Sequence, residues 1–222
     1  VAEETENQIR KIAYQTPSYT VENGTTLLDT PEGPMPIEVF GAHNLSNLAG
    51  AKWLCQCMGV DEAEFYEAIA SFKGASKRLE KIAESTSKVA YKDFAHSPSK
   101  VSATTKAVKA QYPDRKVVAC LELHTYSSLN AEFLKEYQGA LDAADVAVVF
   151  YSPDAVKIKR LEEVTYEQIA QSFQREDLII YTNPTEFKDF LFSQNLENSA
   201  LLLMSSGNYG GLNFDEVKGL IN

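Results

Sequence analysis

The sequence is short of cysteine, of positive charge and of long apolar runs. Its three cysteines, Cys55, Cys57 and Cys120, form no C-x-x-C pair, which argues against a disulfide framework or zinc ribbon and favours a reducing cytoplasm. No segment approaches the ~20 apolar residues of a membrane span, and no signal peptide is evident, so we expect no membrane insertion. A formal net charge of -10 argues against general nucleic-acid binding, because the protein's field repels phosphates.

The composition is that of a globular protein of one large or two modest domains, with 222 residues, 44% of them hydrophobic. From Val89 onward, apolar strands alternate with helices, which predicts an α/β fold with a mostly parallel sheet covered by helices on both faces. The expected strands include Lys116–Leu121, Val146–Phe150, Leu178–Tyr181 and Ala200–Met204, and the expected helices start at Pro98 and span Ala131–Ala143 and Tyr166–Phe173.

The first part of the chain predicts less sheet than a domain needs. Short β-type runs, Lys11–Tyr14, Thr25–Leu28 and Ile37–Phe40, precede a helix that ends at Met58. Asp61 begins a second helix with a capping-box pattern, and a linker follows. Because so few strands are present and residue 1 is not Met, we expect the missing strands upstream of Val1.

One turn after a predicted strand concentrates candidate site residues: Asp93, Phe94, His96, Ser97 and Pro98. Ser97 suits a helix N-cap and Pro98 the first helical position, so Asp93 and His96 should lie beside a helix N-terminus at a strand's carboxyl end. Ligands collect at such positions in open α/β sheets. The alternative is an ordinary corner with a solvated aspartate.

Two further groups suit nucleotide binding. Asn44 and Asn47 lie one turn apart, and an asparagine amide offers the donor and acceptor that a purine edge requires. Lys77 and Arg78 are a basic pair that suits a phosphate or ribose. The alternatives are that Asn44 caps its helix, that Asn47 is solvated, and that the basic pair is a solvated face.

The three histidines, His43, His96 and His124, each follow an apolar run, and the last two should share one rim with the loop Ser205–Gly211. A three-histidine metal site is an alternative, but closely spaced ligand pairs are absent, and we assign no metal ligand. No G-x-x-x-x-G-K-[ST] occurs, so any phosphate cradle must come from residues outside this chain.

These motifs form an ordered set. Gly41-x-His43-Asn44-x-x-Asn47, Phe72-x-Gly74-x-x-Lys77-Arg78-x-Glu80 and Asp93-Phe94-Ala95-His96-x-Pro98 resemble those of the Mur ligases, the ATP-dependent amide ligases of peptidoglycan assembly. The resemblance is greatest to the branch that adds L-alanine or a murein tripeptide to UDP-N-acetylmuramate. It implies that residues 1–86 are the distal part of the central ATP-binding domain with its linker, and that residues 87–222 are a Rossmann-like C-terminal domain.

The resemblance also implies roles for individual residues. The residues expected to contact the nucleotide are His43, Asn44, Asn47, Lys77, Arg78, Asp93 and Phe94. Those expected to contact the amine substrate are His96, Ser97, His124, Ser205, Ser206, Gly207 and Asn208. His96 is the candidate catalytic group, since its unperturbed pKa lies near neutrality. ATP and Mg²⁺ are the implied cofactors, both held largely by residues missing from this chain.

Some positions depart from the family pattern. The segment His124–Ser128 lacks the arginines that alanine-adding relatives carry there, which favours a larger peptide as the amine. Two alternatives remain: a folylpolyglutamate-synthase-like ligase, and a non-catalytic binding module. The fragment alone is expected to be inactive, because it lacks a phosphate loop.

Overall fold

The computed structural model describes residues 11–162 and 164–222. The strands in these ranges are β1 Tyr19–Glu22, β2 Thr25–Thr30, β3 Gly33–Ile37, β4 Glu80–Glu84, β5 Lys88–Asp93, β6 Lys116–Leu123, β7 Val146–Tyr151, β8 Ile179–Tyr181 and β9 Ser199–Met204. The α-helices are α1 Ala42–Cys57, α2 Glu62–Ala70, α3 Pro98–Gln111, α4 Ala131–Leu134, α5 Pro153–Ile158, α6 Tyr166–Phe173, α7 Pro184–Ser193 and α8 Phe214–Ile221. We call residues 11–79 the first lobe, and residues 80–162 with 164–222 the second lobe.

The second lobe is built on a sheet with the strand order β4-β5-β9-β6-β7-β8. Every neighbouring pair is parallel except β4 with β5. Alternate residues of the buried strand β9 face two separate apolar cores, one containing Leu202 and the other Leu201 and Leu203. Helices α3 and α6 contribute to the first core, and α7 and α8 to the second. The expected mostly parallel sheet with helices on both faces is therefore confirmed.

The first lobe is smaller. Strands β1, β2 and β3 form an antiparallel sheet in that order, and α1 and α2 pack on it. Its buried core consists of Leu28, Ile37, Leu45, Leu48 and Phe65. Helix α2 begins with the expected capping box, since the Asp61 side chain accepts from the Glu64 backbone N–H and the Glu64 side chain accepts from that of Asp61. No helix in the described ranges has the length and apolar character needed to span a membrane.

Buried polar and aromatic contacts join the lobes. The Thr26 hydroxyl donates to Gln111 Oε1 at 2.9 Å, and Gln111 Nε2 donates to the Gly24 carbonyl at 2.7 Å. The Phe40 ring meets the Tyr91 ring edge-on at 5.2 Å between centroids. Helix α3, which carries Gln111, therefore fixes the β1–β2 hairpin to the second lobe.

Three local expectations are wrong. Lys11–Tyr14 is not a strand, and the strand expected at Ile37–Phe40 lies earlier, at Gly33–Ile37, because Phe40 packs against the second lobe instead. The helix expected over Ala131–Ala143 ends at Leu134, and a 3₁₀ turn follows. Gly139 then takes a left-handed φ of 69°, which a continuing α-helix does not permit.

The division of the chain between residues 86 and 87 stays a prediction. Strand β4 lies on the N-terminal side of that division, yet it pairs with β5 in the sheet of the second lobe. The residues before β4 have unusual backbone geometry, with left-handed φ angles of 57° at Lys77 and 44° at Leu79. The sharp change of direction at residues 77–79 makes this segment the structural connection between the lobes.

Candidate functional site

A cavity of about 640 Å³ lies where the two lobes meet, a volume typical of small-molecule sites. Its lining comes from residues 38–40, from α1, from the end of α2 and residues 72–79, from the end of β5 and from the first turns of α3. The apolar part of the lining includes Val39, Phe40, Leu48, Ile69 and Phe72. The predicted nucleotide residues that it brings together are His43, Asn44, Asn47, Arg78 and Asp93.

Helix α1 presents the two asparagines to this cavity. The helix begins at Ala42 with Gly41 as its N-cap, so the alternative that Asn44 caps the helix is wrong. Asn44 Nδ2 donates to the Phe40 carbonyl at 3.0 Å, which fixes its amide at the cavity wall. Asn47 is exposed, and no hydrogen bond within the described residues occupies its amide. Asn47 is therefore the more available of the two for a ligand.

His43 is half-buried beside these amides. Burial lowers the pKa of the His43 imidazole below its ordinary value; the Asp93 carboxylate opposes this shift, and the Arg78 guanidinium adds to it. His43 is accordingly neutral at pH 7. A neutral imidazole suits contact with an uncharged heterocycle.

Asp93 ends β5 and is buried, with 6% of its surface exposed. Its carboxylate accepts from the Leu79 backbone N–H at 2.7 Å and from the Ala95 backbone N–H at 2.6 Å. Burial raises the pKa of the Asp93 carboxyl, while these two donors, Arg78 and His43 act in the opposite direction. The carboxylate thus holds the connection between the lobes in place, in addition to lining the cavity.

The remaining predicted nucleotide residues lie outside the lining. Lys77 is exposed, and its carbonyl accepts from the Phe94 N–H at 2.8 Å. The Arg78 guanidinium lies 5.9 Å from the centroid of the Phe94 ring, a cation–π distance. Phe94 therefore orients Arg78, which does line the cavity.

The second predicted group lies at the carboxyl ends of the parallel strands. Ser97 is the N-cap of α3 and Pro98 its first residue, as expected, although the Ser97 side chain makes no capping hydrogen bond. His96 Nδ1 lies 2.8 Å from the Phe94 carbonyl oxygen. This contact makes Nδ1 the protonated nitrogen and leaves Nε2 as an acceptor.

The sequence interpretation missed Glu122, which organises this edge of the sheet. Its carboxylate is 3% exposed; its Oε2 accepts from the Ser205 hydroxyl and from the Tyr209 N–H at 2.9 Å. Its Oε1 lies 3.6 Å from His124 Nδ1. The available signal was a single acidic residue in the otherwise apolar run Val117–Leu123.

The loop Ser205–Gly211, which we call the glycine loop, packs closely over this carboxylate. A Cβ on Gly207 would lie 2.8 Å from Glu122 Oε2 and 3.0 Å from the His124 ring, so any larger residue forces these groups apart. The Ser206 hydroxyl is buried and has no hydrogen-bond partner among the described residues, while Asn208 is exposed. The structure thus groups His124 with the predicted loop residues.

The cavity and the strand-end group share one residue. The backbone carbonyl of Asp93 accepts from the Ser205 N–H at 2.9 Å, while the Asp93 side chain lines the cavity. Across the described part of the chain, no group of three histidine, cysteine, aspartate or glutamate side chains converges to hold a metal ion. The three-histidine alternative is therefore not supported.

The parallel sheet, with a ligand-sized cavity at the carboxyl end of its first parallel strand, defines an α/β protein of the type that binds ligands at strand ends. A family model described as "Mur ligase, glutamate ligase domain" matches residues 77–207. The chain belongs to the Mur ligase family.

Individual relatives agree with this assignment. A UDP-N-acetylmuramate–L-alanine ligase of Gloeothece citriformis is 33% identical over 184 residues, which cover 79% of this chain and 36% of that protein. The solved UDP-N-acetylmuramate-alanine ligase of Thermotoga maritima matches 86% of this chain and 42% of its own, with 18% identity and a TM-score of 0.65. A murein peptide ligase from Psychrobacter arcticus matches 89% of this chain and 42% of its own, with 19% identity and a TM-score of 0.59. The two structures show a shared fold.

Proposed function

We propose that this chain is part of an ATP-dependent, ADP-forming amide ligase. The complete protein would join the carboxylate of UDP-N-acetylmuramate to the amine of a murein tripeptide or L-alanine. The cavity between the lobes is the observation that carries the proposal, because it combines two asparagine amides, a neutral histidine, an arginine and apolar walls. The chain spans only 36% of the relative from Gloeothece, so the activity is assigned to the complete protein.

The cavity fits the nucleoside part of ATP. Asn47 offers a donor and an acceptor for a purine edge, and the apolar residues Phe40, Leu48 and Phe72 suit the faces of a planar base. Arg78 and Asp93 provide a donor and an acceptor for the ribose or phosphates. Lys77 and Phe94 act indirectly, by shaping the backbone and orienting Arg78.

The described residues contain no group of three histidine, cysteine, aspartate or glutamate side chains that could hold a metal ion by themselves. They also offer no glycine-rich phosphate loop. We therefore assign the metal and the phosphate cradle to other parts of the polypeptide, and we expect this chain alone neither to hydrolyse ATP nor to ligate.

The strand-end group is the proposed amine site. Ligation through an acyl phosphate requires a neutral amine beside the activated carboxyl. The proposed role of His96, which has Nε2 as an acceptor, is to orient or deprotonate that amine. Ser97, His124 and Ser205–Asn208 would complete the site. The free thiols of Cys55, Cys57 and Cys120 suit a cytoplasmic protein.

Nucleotide binding to this chain tests the cavity. We expect ADP to bind, and Asn47→Ala to weaken binding about five- to tenfold, as the loss of one or two hydrogen bonds implies. Ser46→Ala, on the same helix but outside the lining, is the matched control. Calorimetric titration measures both variants. Equal affinities for Asn47→Ala and the wild-type chain would contradict the proposed purine site.

Activity of the complete protein tests the reaction. Replacing Asp93 or His96 by Ala should abolish or strongly reduce ADP release that depends on UDP-N-acetylmuramate and the amine. Unchanged rates would favour a non-catalytic binding module. Rates that depend on a folate in place of UDP-N-acetylmuramate would assign the protein to the folylpolyglutamate-type ligases.

A further inference from the structure

Glu122 is a buried carboxylate with little positive charge around it. It lies at the carboxyl end of β6 with 3% of its surface exposed. Its hydrogen-bond donors, the Ser205 hydroxyl and the Tyr209 N–H, are both neutral. Within residues 11–162 and 164–222, no lysine or arginine forms an ion pair with it, and its only basic neighbour is His124. An ionised carboxylate in such surroundings favours a cation at its open side.

His124 occupies that open side. Its Nδ1 lies 3.6 Å from Glu122 Oε1, within ion-pair distance, and 41% of its side chain is exposed. A carboxylate beside Nδ1 favours the tautomer that carries the proton on Nδ1, so Nε2 remains a free acceptor toward solvent. His96 differs, because its Nδ1 faces a neutral backbone carbonyl. Of these two histidines, His124 is the one that becomes, on protonation, an imidazolium beside a carboxylate.

We propose that Glu122 is a positioning residue that holds His124 as the proton acceptor for the incoming amine, with the pair forming the ammonium-binding end of the amine site. This inference rests on the proposed ligase function. One ammonium proton passes to His124 Nε2, and Glu122 stabilises the resulting imidazolium. The neutral amine then forms the C–N bond as the acyl C–O bond breaks; the leaving phosphate takes the electron pair of that bond and the second proton. His96 keeps an orienting role.

Two other titratable groups near Glu122, Tyr209 and Cys120, stay neutral near pH 7. The Tyr209 hydroxyl donates to the Cys120 and Met204 carbonyls, and burial raises the pKa of Tyr209 well above its ordinary value. Burial also raises the pKa of Cys120 to about 12. Neither side chain therefore changes the charge beside Glu122 near neutral pH.

The first test needs no ligase activity. Long-range ¹H–¹⁵N correlation spectra of this chain should show His124 protonated at Nδ1. In Glu122→Gln the amide places a donor against Nδ1, so the tautomer should change to the one protonated at Nε2. Ser205→Ala removes a donor to the same carboxylate without touching His124 and should keep the Nδ1 tautomer. A wild-type His124 protonated at Nε2 would overturn the proposal, even if the variants fail to fold.

The second test uses the complete protein. Glu122→Gln should lower the ligation kcat at least tenfold at pH 7, with the deficit falling to about threefold or less at pH 9.5, because a proton acceptor is needed less once the amine is neutral. At that pH the amine is already neutral, since α-amino groups lose their proton near pH 8. A deficit of equal size at both pH values would show a structural role only and overturn the proposal. Absence of all ligation in the wild-type protein would instead refute the proposed function, while the tautomer result would stand.

Discussion

The two lobes differ in how completely their secondary structure is covered. All six residues of β9 in the second lobe are buried, whereas helix α1 of the first lobe, 16 residues long, buries Leu45, Leu48 and Ala49. The same helix exposes Trp53 by 40% and Leu54 by 64%, and Met58 just after it by 77%. The second lobe therefore has a core closed on both faces of its sheet. The stability of the first lobe therefore depends more on its contacts with the second lobe.

Truncation of a core side chain should reveal the largest difference in stability between the two lobes. Leu202→Ala in β9 should lower the free energy of unfolding by about 4 kcal/mol, because the fully buried site cannot collapse. Leu48→Ala in α1 should cost about 2 kcal/mol, since its small core is better able to relax. Urea denaturation followed by circular dichroism measures both. Equal losses would remove the distinction between the two cores.

Loss of the polar contacts between the lobes should have the second-largest effect on stability. Gln111→Ala removes both hydrogen bonds to the β1–β2 hairpin and leaves the Thr26 hydroxyl buried without that acceptor, which should cost about 1–3 kcal/mol. Hydrogen exchange of the β1 and β2 amides should accelerate while that of β6 stays slow. Gln138→Ala, which removes an exposed hydrogen bond to Gln174, is the control. Unchanged exchange in the hairpin would show that the first lobe holds this geometry alone.

His43 should give the first lobe its own pH dependence. Its pKa in the folded state is lowered, so as the pH falls below about 6.5 the unfolded chain takes up the proton first and stability decreases. His43→Gln should lose this component, so the difference in Tm between variant and wild type should shift in favour of the variant from pH 7.5 to pH 5.5. Asp93 acts with the opposite sign, because its pKa is raised. If the Tm of the wild type and that of His43→Gln changed by the same amount between pH 7.5 and pH 5.5, this assignment would be contradicted.

Substitution on the exposed apolar face should have the smallest effect. Met58→Gln should change the free energy of unfolding by no more than about 0.5 kcal/mol, because the side chain is 77% exposed. The same urea titration measures it. A loss above about 1 kcal/mol would mean that this face is covered in solution and that the two lobes are more alike than their burial indicates.

The sequence predicted the second lobe well because its strands are long apolar runs and its helices have clear starts. The expected first residues Pro98 and Tyr166 are those at which α3 and α6 begin. Prediction failed where tertiary contacts override local pattern: Phe40 leaves the small sheet to pack on Tyr91, and residues 135–143 do not continue α4. Short elements such as β4 and α5 have too few residues for periodicity to indicate them.

The residues of the candidate site could also be predicted from the sequence only in part. Asn44, Asn47 and Asp93 were predicted from their position at a helix start and a strand end, and the structure places them on one cavity. The indirect role of Phe94 and the importance of Glu122 depend on which side chains meet across strands and loops. A residue 83 positions away in sequence, Ser205, supplies one of the donors to Glu122, and local sequence carries no sign of such a partner.

Asp93 connects the two halves of the site, the cavity and the group at the strand ends. Its carboxylate is fixed by the Leu79 and Ala95 amides on the cavity side, and its carbonyl accepts from Ser205 at the start of the glycine loop. A nucleotide that moves this residue must also move the first amide of that loop, or break its hydrogen bond. A shift of Asp93 on one side would thereby reach the other side through a single peptide unit.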